Sequence, residues 1–245
     1  MNRKKKIRLD ELLVQRGLFP DAEAALRAIM AREVRVGTAY AQSPALLVAP
    51  DAELFVKGAR RFVSRGGEKL QGALDAFGQD VQGLRCIDIG SSTGGFTDCL
   101  LQAGAAAVAC VDVNYGQLAW KVRQDARVSV FERTNIRTAD PAALGAPFGL
   151  IVIDVSFIGL AALAPVFPAL SAPGTVFIGL VKPQFESRVG ETDGGVVRDA
   201  AVRARTVEEV KAALQEQGFQ VTDAVESPIT GPKGNVEYLV RAVFE

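Results

Sequence analysis

Apolar residues recur along this chain with two periods, and the changeover falls near residue 85. Before it the spacing is helical: Leu9, Leu12 and Leu13 share one face of the segment 8–17, with Asp10 placed to cap its start and Gly17 its end. Asp21 is placed to cap a second helix carrying Ala25, Leu26, Ile29 and Met30, with Pro20 just outside it. Short β-type runs follow at 33–36 and 53–56. Two helices and a few short strands in about fifty residues predict a small module with a thin core. A helix over 68–77, with Leu70, Ala73, Leu74 and Phe77 on one face, then leads into a second domain.

From residue 85 onward, apolar runs at 86–89, 107–111, 128–131, 150–153 and 175–181 alternate with helical segments. That order implies βαβ units and a mostly parallel sheet. Two further runs, 220–225 and 236–244, lie too close together for a helical crossover and predict an antiparallel pair closing the sheet. The expected class is α/β: a Rossmann-like, mostly parallel seven-stranded sheet with one antiparallel strand, preceded by a small N-terminal α+β module. The expected divisions are a module at 1–59, a basic linker at 60–65 carrying Phe62 among its arginines, and a domain at 66–245.

Charge sharpens this division. Residues 1–69 hold 14 Lys and Arg against 8 Asp and Glu, and the remainder holds 14 against 20. A basic module joined to a mildly acidic, enzyme-sized domain directs the first part towards a polyanion. The chain has no histidine, which excludes Ser-His-Asp and Cys-His catalysis and His-ligated metals. Any general base is then Lys, a carboxylate, Tyr or Cys. Cys86, Cys99 and Cys110 form no C-x-x-C pair and read as buried thiols of a cytoplasmic protein. Asp10 and Glu11 interrupt the apolar run that a secretory signal would need after the basic residues 1–8. The uncharged run 155–181 is long enough to span a bilayer, but Pro165, Pro168 and Pro173-Gly174 break it, so a buried helix followed by a buried strand is expected.

The first β run ends in Asp88-Ile89-Gly90-Ser91-Ser92-Thr93-Gly94-Gly95-Phe96, a Gly-rich turn from strand to helix. Such a turn lets a ligand approach the backbone and aims free N–H groups at it. Asp112 follows the second β run, placed to accept hydrogen bonds from the two hydroxyls of an adenosine ribose. Ser92 stands where a dinucleotide fingerprint needs its second glycine, and Asp88 would repel a pyrophosphate while helping to hold an ammonium. These features favour S-adenosylmethionine over a nicotinamide or flavin. The residues expected around it are Asp88, Gly90, Ser91, Ser92, Thr93, Gly94, Gly95, Phe96, Asp112, Asn135 and Asp154; no metal is expected.

Four motifs, Ser64-Arg65-Gly66-Gly67-Glu68-Lys69-Leu70, Asp88 to Asp98, Ile153-Asp154-Val155-Ser156-Phe157 and Gly234-Asn235-Val236-Glu237-Tyr238, resemble the TlyA family, often labelled haemolysin A. The resemblance covers essentially the whole chain. It implies an S-four-type RNA-binding module over 8–57 and an FtsJ-like ribosomal RNA 2'-O-methyltransferase domain over 66–245, with cytidine as the target. It also carries the family's catalytic Lys-Asp-Lys-Glu set onto Lys69, Asp154, Lys182 and Glu237. Independently, Asp154 and Lys182 follow the fourth and fifth strands, and Glu237 begins an antiparallel last strand, which sets all three at one sheet edge. Lys69 precedes the domain and is not placed by this argument.

A ribose hydroxyl is a poor nucleophile, so a base must sit beside it, and Lys182 is the expected base with Lys69 as a neighbouring cation. Asp154 and Glu237 would hold the lysines, and by doing so oppose deprotonation; Lys182 orienting the hydroxyl is the alternative. Arg3, Lys4, Lys5, Lys6, Arg8, Arg16, Arg27, Arg32, Arg35, Arg60, Arg61 and Arg65 are the expected contacts to ribosomal RNA or a ribosomal subunit. The loops at Gly194-Gly195 and 231–234 read either as RNA-gripping segments or as plain turns. Competing readings are an RNA base methyltransferase, whose Asn/Asp-Pro-Pro-aromatic turn is absent at 154–157, a pore-forming haemolysin, and a ribosome-binding factor without catalysis.

Overall fold

The computed structural model describes residues 6–58 and 61–245. They form two compact units, Met1–Arg61 and Phe62–Glu245.

The first unit runs β1 (Ile7–Arg8), α1 (Leu9–Gln15), α2 (Ala22–Met30), β2 (Val34–Val36), β3 (Ala39–Tyr40), β4 (Leu47–Val48) and β5 (Leu54–Val56). β1 pairs with β4, and β2 lies between β3 and β5, all antiparallel. Leu9, Leu13, Ala25, Ile29 and Val34 fill the core between the helices and the sheet. Asp21 caps α2, its carboxylate accepting from the Ala24 N–H at 2.7 Å. Asp10 does not cap α1. Burial of Leu9 draws the helix start forward, leaving Asp10 inside the first turn with its two oxygens on the Arg8 guanidinium at 3.1 and 2.7 Å.

The second unit runs α3 (Gly66–Phe77), β6 (Arg85–Ile89), α4 (Gly95–Gln102), β7 (Ala107–Val111), α5 (Trp120–Arg123), β8 (Val128–Phe131), α6 (Pro141–Leu144) and β9 (Leu150–Ile153). A 3₁₀ helix (Ala161–Leu170), β10 (Val176–Val181), α7 (Pro183–Glu186), α8 (Ala200–Glu216), β11 (Phe219–Glu226) and β12 (Tyr238–Phe244) complete it. The seven strands are ordered β11-β12-β10-β9-β6-β7-β8. β12 is antiparallel to both neighbours, so it alone runs against the rest of the sheet. Its insertion between β10 and β11 goes beyond the antiparallel pair that the sequence spacing predicts.

The alternation of side chains along the strands divides the core in two. Ile87, Ile89, Ile151 and Ile153 face the 3₁₀ helix and α8, where Phe167, Phe177 and Phe219 stack in series. Cys86, Val108, Cys110, Leu150 and Val152 face the side of α3 and α4. Within the uncharged run 155–181, the helix 161–170 and the strand 176–181 pack into the core, whereas Ser156 and Phe157 at its start are exposed. Its helix is 3₁₀ because Pro165 and Pro168 lack the N–H groups an α ladder needs. No described helix is long and apolar enough to cross a membrane.

Four of the six residues of the expected linker, 62–65, belong to the second unit. Phe62 is buried, and a Cβ on Gly67 would lie 2.2 Å from its Cγ, so only glycine lets α3 start there. The Val63 N–H donates to Asp98 Oδ2 at 3.0 Å.

Candidate active site

A cleft of ≈ 440 Å³ opens at the carboxyl ends of β6, β7 and β9. This is where parallel sheets leave strand-to-helix turns free to meet a ligand. Gly90, Ser92, Asp112, Asn135 and Asp154 line it, five of the residues expected around the cofactor. Gly90 has φ +82°, and a Cβ there would meet the Asp154 carbonyl oxygen at 2.5 Å, so only glycine lets β6 turn against β9. Ser92 is held in the left-handed region, φ 47°, with its N–H donating to Asp112 Oδ2 at 2.7 Å. The Asn114 N–H donates to Asp112 Oδ1 at 2.8 Å, which fixes this carboxylate at the cleft wall.

The other expected cofactor residues lie behind that wall. Ser91 is buried, and Thr93 points its carbonyl to the Ala119 N–H at 3.1 Å. Gly94 packs on Leu118, and Gly95 lies so close to Ser64 that a Cβ would sit 2.2 Å from its Oγ. Phe96 is a core residue between α3 and α4. The glycines after Gly90 therefore serve close helix packing. Asp88 is wholly buried, with Oδ2 accepting from the Thr97 N–H at 3.0 Å and the Thr97 hydroxyl at 2.6 Å, so it caps α4 from the strand. Its Oδ1 is buried without a partner among the described residues. The Asp88 carboxyl is pushed up to about 7, first by burial, against which the Thr97 hydrogen bonds act, and further by the charges of Asp154 and Asp112.

Beside the cleft, four charged side chains form two ion pairs. Lys69 Nζ lies 2.5 Å from Glu237 Oε2, both buried, at side-chain exposures of 8% and 1%. Lys182 Nζ lies 2.6 Å from Asp154 Oδ1 and donates to Ser156 Oγ at 3.1 Å. The sheet register joins the pairs: Val181 is opposite Tyr238, so Lys182 and Glu237 are the next residues facing across β10 and β12. Lys69, on the first turns of α3, is brought to Glu237 by packing that strand spacing does not reveal. Gly231 lies so close to Glu237 that a Cβ would meet its Oε1 at 2.5 Å. Buried Asn235 accepts from the Val197 N–H at 3.0 Å and donates to the Gly195 carbonyl at 2.9 Å, tying the loops at 194–195 and 231–235 together.

Phe157, which enters the sequence analysis only as the end of the 153–157 motif, is a cleft residue that was not among the expected site residues. It lies in the left-handed region, φ 69°, is 93% exposed, and lines the cleft two residues after Val155. A non-glycine at such a φ is strained, and nothing in a sequence reports φ. Its ring stands 5.6 Å from that of Phe185. Glu186 holds the same loop, accepting from the Leu160 N–H.

Of the expected RNA contacts, Arg3, Lys4, Lys5 and Arg60 lie outside the described residues. Lys6, Arg32, Arg61 and Arg65 are exposed. Arg16 is a structural staple, donating to the Ala52 and Pro50 carbonyls at 2.6 Å each. Arg8 is held by Asp10 and Arg27 by Glu23 at 2.6 Å. Arg35 stacks on Phe55. Among the described residues no cluster of His, Cys, Asp or Glu is placed to hold a metal ion.

A seven-stranded sheet with one reversed strand next to the edge, and an acidic cleft at the ends of its parallel strands, defines an α/β methyltransferase. A family model described as FtsJ-like methyltransferase matches residues 62–244, and the chain belongs to that family. It is 45% identical over 239 residues to the 16S/23S rRNA (cytidine-2'-O)-methyltransferase TlyA of Mycobacterium tuberculosis, covering 96% of this chain and 89% of the relative. A solved structure from Streptococcus thermophilus that carries a hemolysin label is 39% identical, with a TM-score of 0.74 and coverage of 98% and 90%. An S-adenosylmethionine dependent methyltransferase from Mesorhizobium loti shares the fold at 20% identity and a TM-score of 0.51, covering 70% of this chain and 96% of that one.

Proposed function

We propose that this protein transfers the methyl group of S-adenosylmethionine to a ribose 2'-hydroxyl, that of a cytidine, in ribosomal RNA in the cytoplasm. The observation that carries the reading is the meeting of Lys69, Asp154, Lys182 and Glu237 at the edge of the cleft lined by Gly90 and Asp112.

The cleft suits that cofactor chemically. S-adenosylmethionine carries a sulfonium and an ammonium against one carboxylate, and Asp112 and Asp154 give the site a negative field, which Asp88 joins once it ionises above about 7. Asp112 retains lone pairs for the ribose hydroxyls, and the unpartnered Asp88 Oδ1 is an acceptor behind the cleft wall. When bound, the cofactor would supply an electrophilic methyl on a cationic sulfonium, whose sulfur leaves as a neutral thioether when the C–S bond breaks.

The chain's own residues do the rest. Lys182 grips the 2'-oxygen, and Ser156 and Asp154 fix its ammonium in one direction. As the oxygen attacks the methyl carbon, the hydroxyl proton leaves to Lys182, which must first be neutral. Asp154 holds Lys182 in the free protein; a sulfonium arriving beside Asp154 competes for that carboxylate and loosens its hold. Lys69 and Glu237 form a buried pair without net charge, and Glu237 faces Lys182 across β10 and β12, which joins this pair to the site from behind. Phe157, exposed at the mouth, offers a ring on which the target base can stack. Lys6 and Arg32, exposed in the basic first unit, supply phosphate affinity.

Incubation with isotopically labelled cofactor and separate ribosomal subunits, followed by alkaline hydrolysis, tests this. A 2'-O-methyl group blocks cleavage after its nucleotide, so the label is expected in an alkali-resistant dinucleotide. Label recovered in a mononucleotide would assign the methyl to a base instead.

A further inference from the structure

We propose that the open face of the small sheet in the first unit is a stacking platform for an unpaired nucleotide, built from Tyr40, Arg35 and Phe55. The proposal rests on the reading of RNA as the substrate and adds a binding site to it.

Register creates the platform. Arg35 on β2 is directly opposite Tyr40 on β3 and directly opposite Phe55 on β5. Residues directly opposite in antiparallel strands project from the same face. The intervening Val34 is buried on the other face, in the core with Leu9 and Ile29. The Arg35 guanidinium carbon lies 4.1 Å from the Phe55 ring centroid and 6.0 Å from that of Tyr40. Both rings are about half exposed, Tyr40 at 53% and Phe55 at 49%.

Chemistry selects the occupant. Aromatic faces and a guanidinium plane are the two surfaces on which nucleobases stack when they are read outside a helix. Arg8, Arg16 and Arg27 are committed to partners within the unit, whereas Arg35 makes no ion pair among the described residues and keeps its donors for a phosphate. Residues 1–61 hold 12 Lys and Arg against 7 Asp and Glu. Lys57 and Arg32 are exposed just beyond β5 and before β2. Glu33 and Glu53 precede the two antiparallel strands and so stand at opposite ends of the face, leaving its centre cationic. An apolar protein partner would have to bury the Arg35 charge unpaired, which is costly; a nucleotide satisfies the cation and the rings together.

The test uses the full chain and fluorescein-labelled RNA of about 12 nucleotides, single-stranded or annealed to its complement. The Tyr40→Ala/Phe55→Ala double variant is expected to bind the single strand about tenfold more weakly, with the duplex little affected and the slope of log K against log salt unchanged. Tyr40→Phe keeps a ring and should bind as the parent does, and Arg35→Lys keeps charge without a plane and should bind more weakly. Unchanged single-strand affinity in the double variant, at an unchanged melting temperature, would overturn the proposal. So would an equal loss on duplex and single strand. Loss of co-sedimentation with ribosomal subunits at unchanged RNA affinity would assign the face to a protein and overturn it too. If the parent protein methylates subunits while the double variant binds RNA normally, the platform fails and the methyltransferase reading stands. If no methylation occurs yet the double variant loses single-strand affinity, the reverse holds.

Discussion

Asp88 is set against its surroundings: a carboxylate at full burial, beneath the first turn of α4, within the field of two others. Its folded value, about 7, lies well above the ordinary carboxylate range. The folded state therefore keeps a proton that the unfolded chain releases. That stabilisation is fully present below the unfolded value and is lost as the pH rises through about 7. A cationic cofactor favours the ionised form, so its affinity should tighten as the pH is raised through 7, with a proton released on binding below it. Titration calorimetry across this range checks the effect, and Asp88→Asn should flatten it. Lys182 and Glu237 separate in the same way, by burial. Glu237→Gln strands the Lys69 ammonium in the interior and should cost about 3–5 kcal/mol in a denaturant melt. Lys182→Ala, nearer the cleft, should lower stability less than Glu237→Gln does.

At the scale of elements, the turn after β6 sets the geometry of the cleft. Gly90→Ala places a methyl against the Asp154 backbone at a positive φ, and neither strand end can retreat without opening the site. A stability loss of roughly 1–3 kcal/mol, together with loss of cofactor binding, is expected, read by chemical denaturation and calorimetry. Most of the sheet was legible in the sequence because parallel strands separated by helices share one edge for their carboxyl ends. That rule places Asp154 and Lys182 together, and an antiparallel last strand brings Glu237 to the same edge. Lys69 was not placed by such reasoning, since α3 precedes the sheet and docks through side-chain packing. Phe96, Gly94 and Gly95 lie off the cleft lining for a related reason: a Gly-rich turn signals close approach, and here what approaches is α3 and Leu118. The slot of β12 between β10 and β11 depends on non-local pairing that no local pattern encodes.

For the molecule as a whole, charge is divided between a basic first unit and an acidic second one. The first suits a polyanion and the second a small cation, so salt should act on them differently. Affinity for ribosomal RNA should fall steeply and log-linearly with salt, at a slope of about 0.9 or less per phosphate contacted. Cofactor affinity should change little over the same range. Filter binding and calorimetry, run in parallel from low to physiological salt, compare the two.

The juxtaposition of donor and hydroxyl by Lys69, Asp154, Lys182 and Glu237 is tested most directly by single-turnover methyl transfer with cofactor and ribosomal subunits saturating. Lys182→Ala should bind the cofactor at least as tightly as the parent protein does, because Asp154 loses its competing partner, and transfer its methyl about 10²–10⁴ times more slowly. Transfer by this variant within a few-fold of the parent rate would contradict the account.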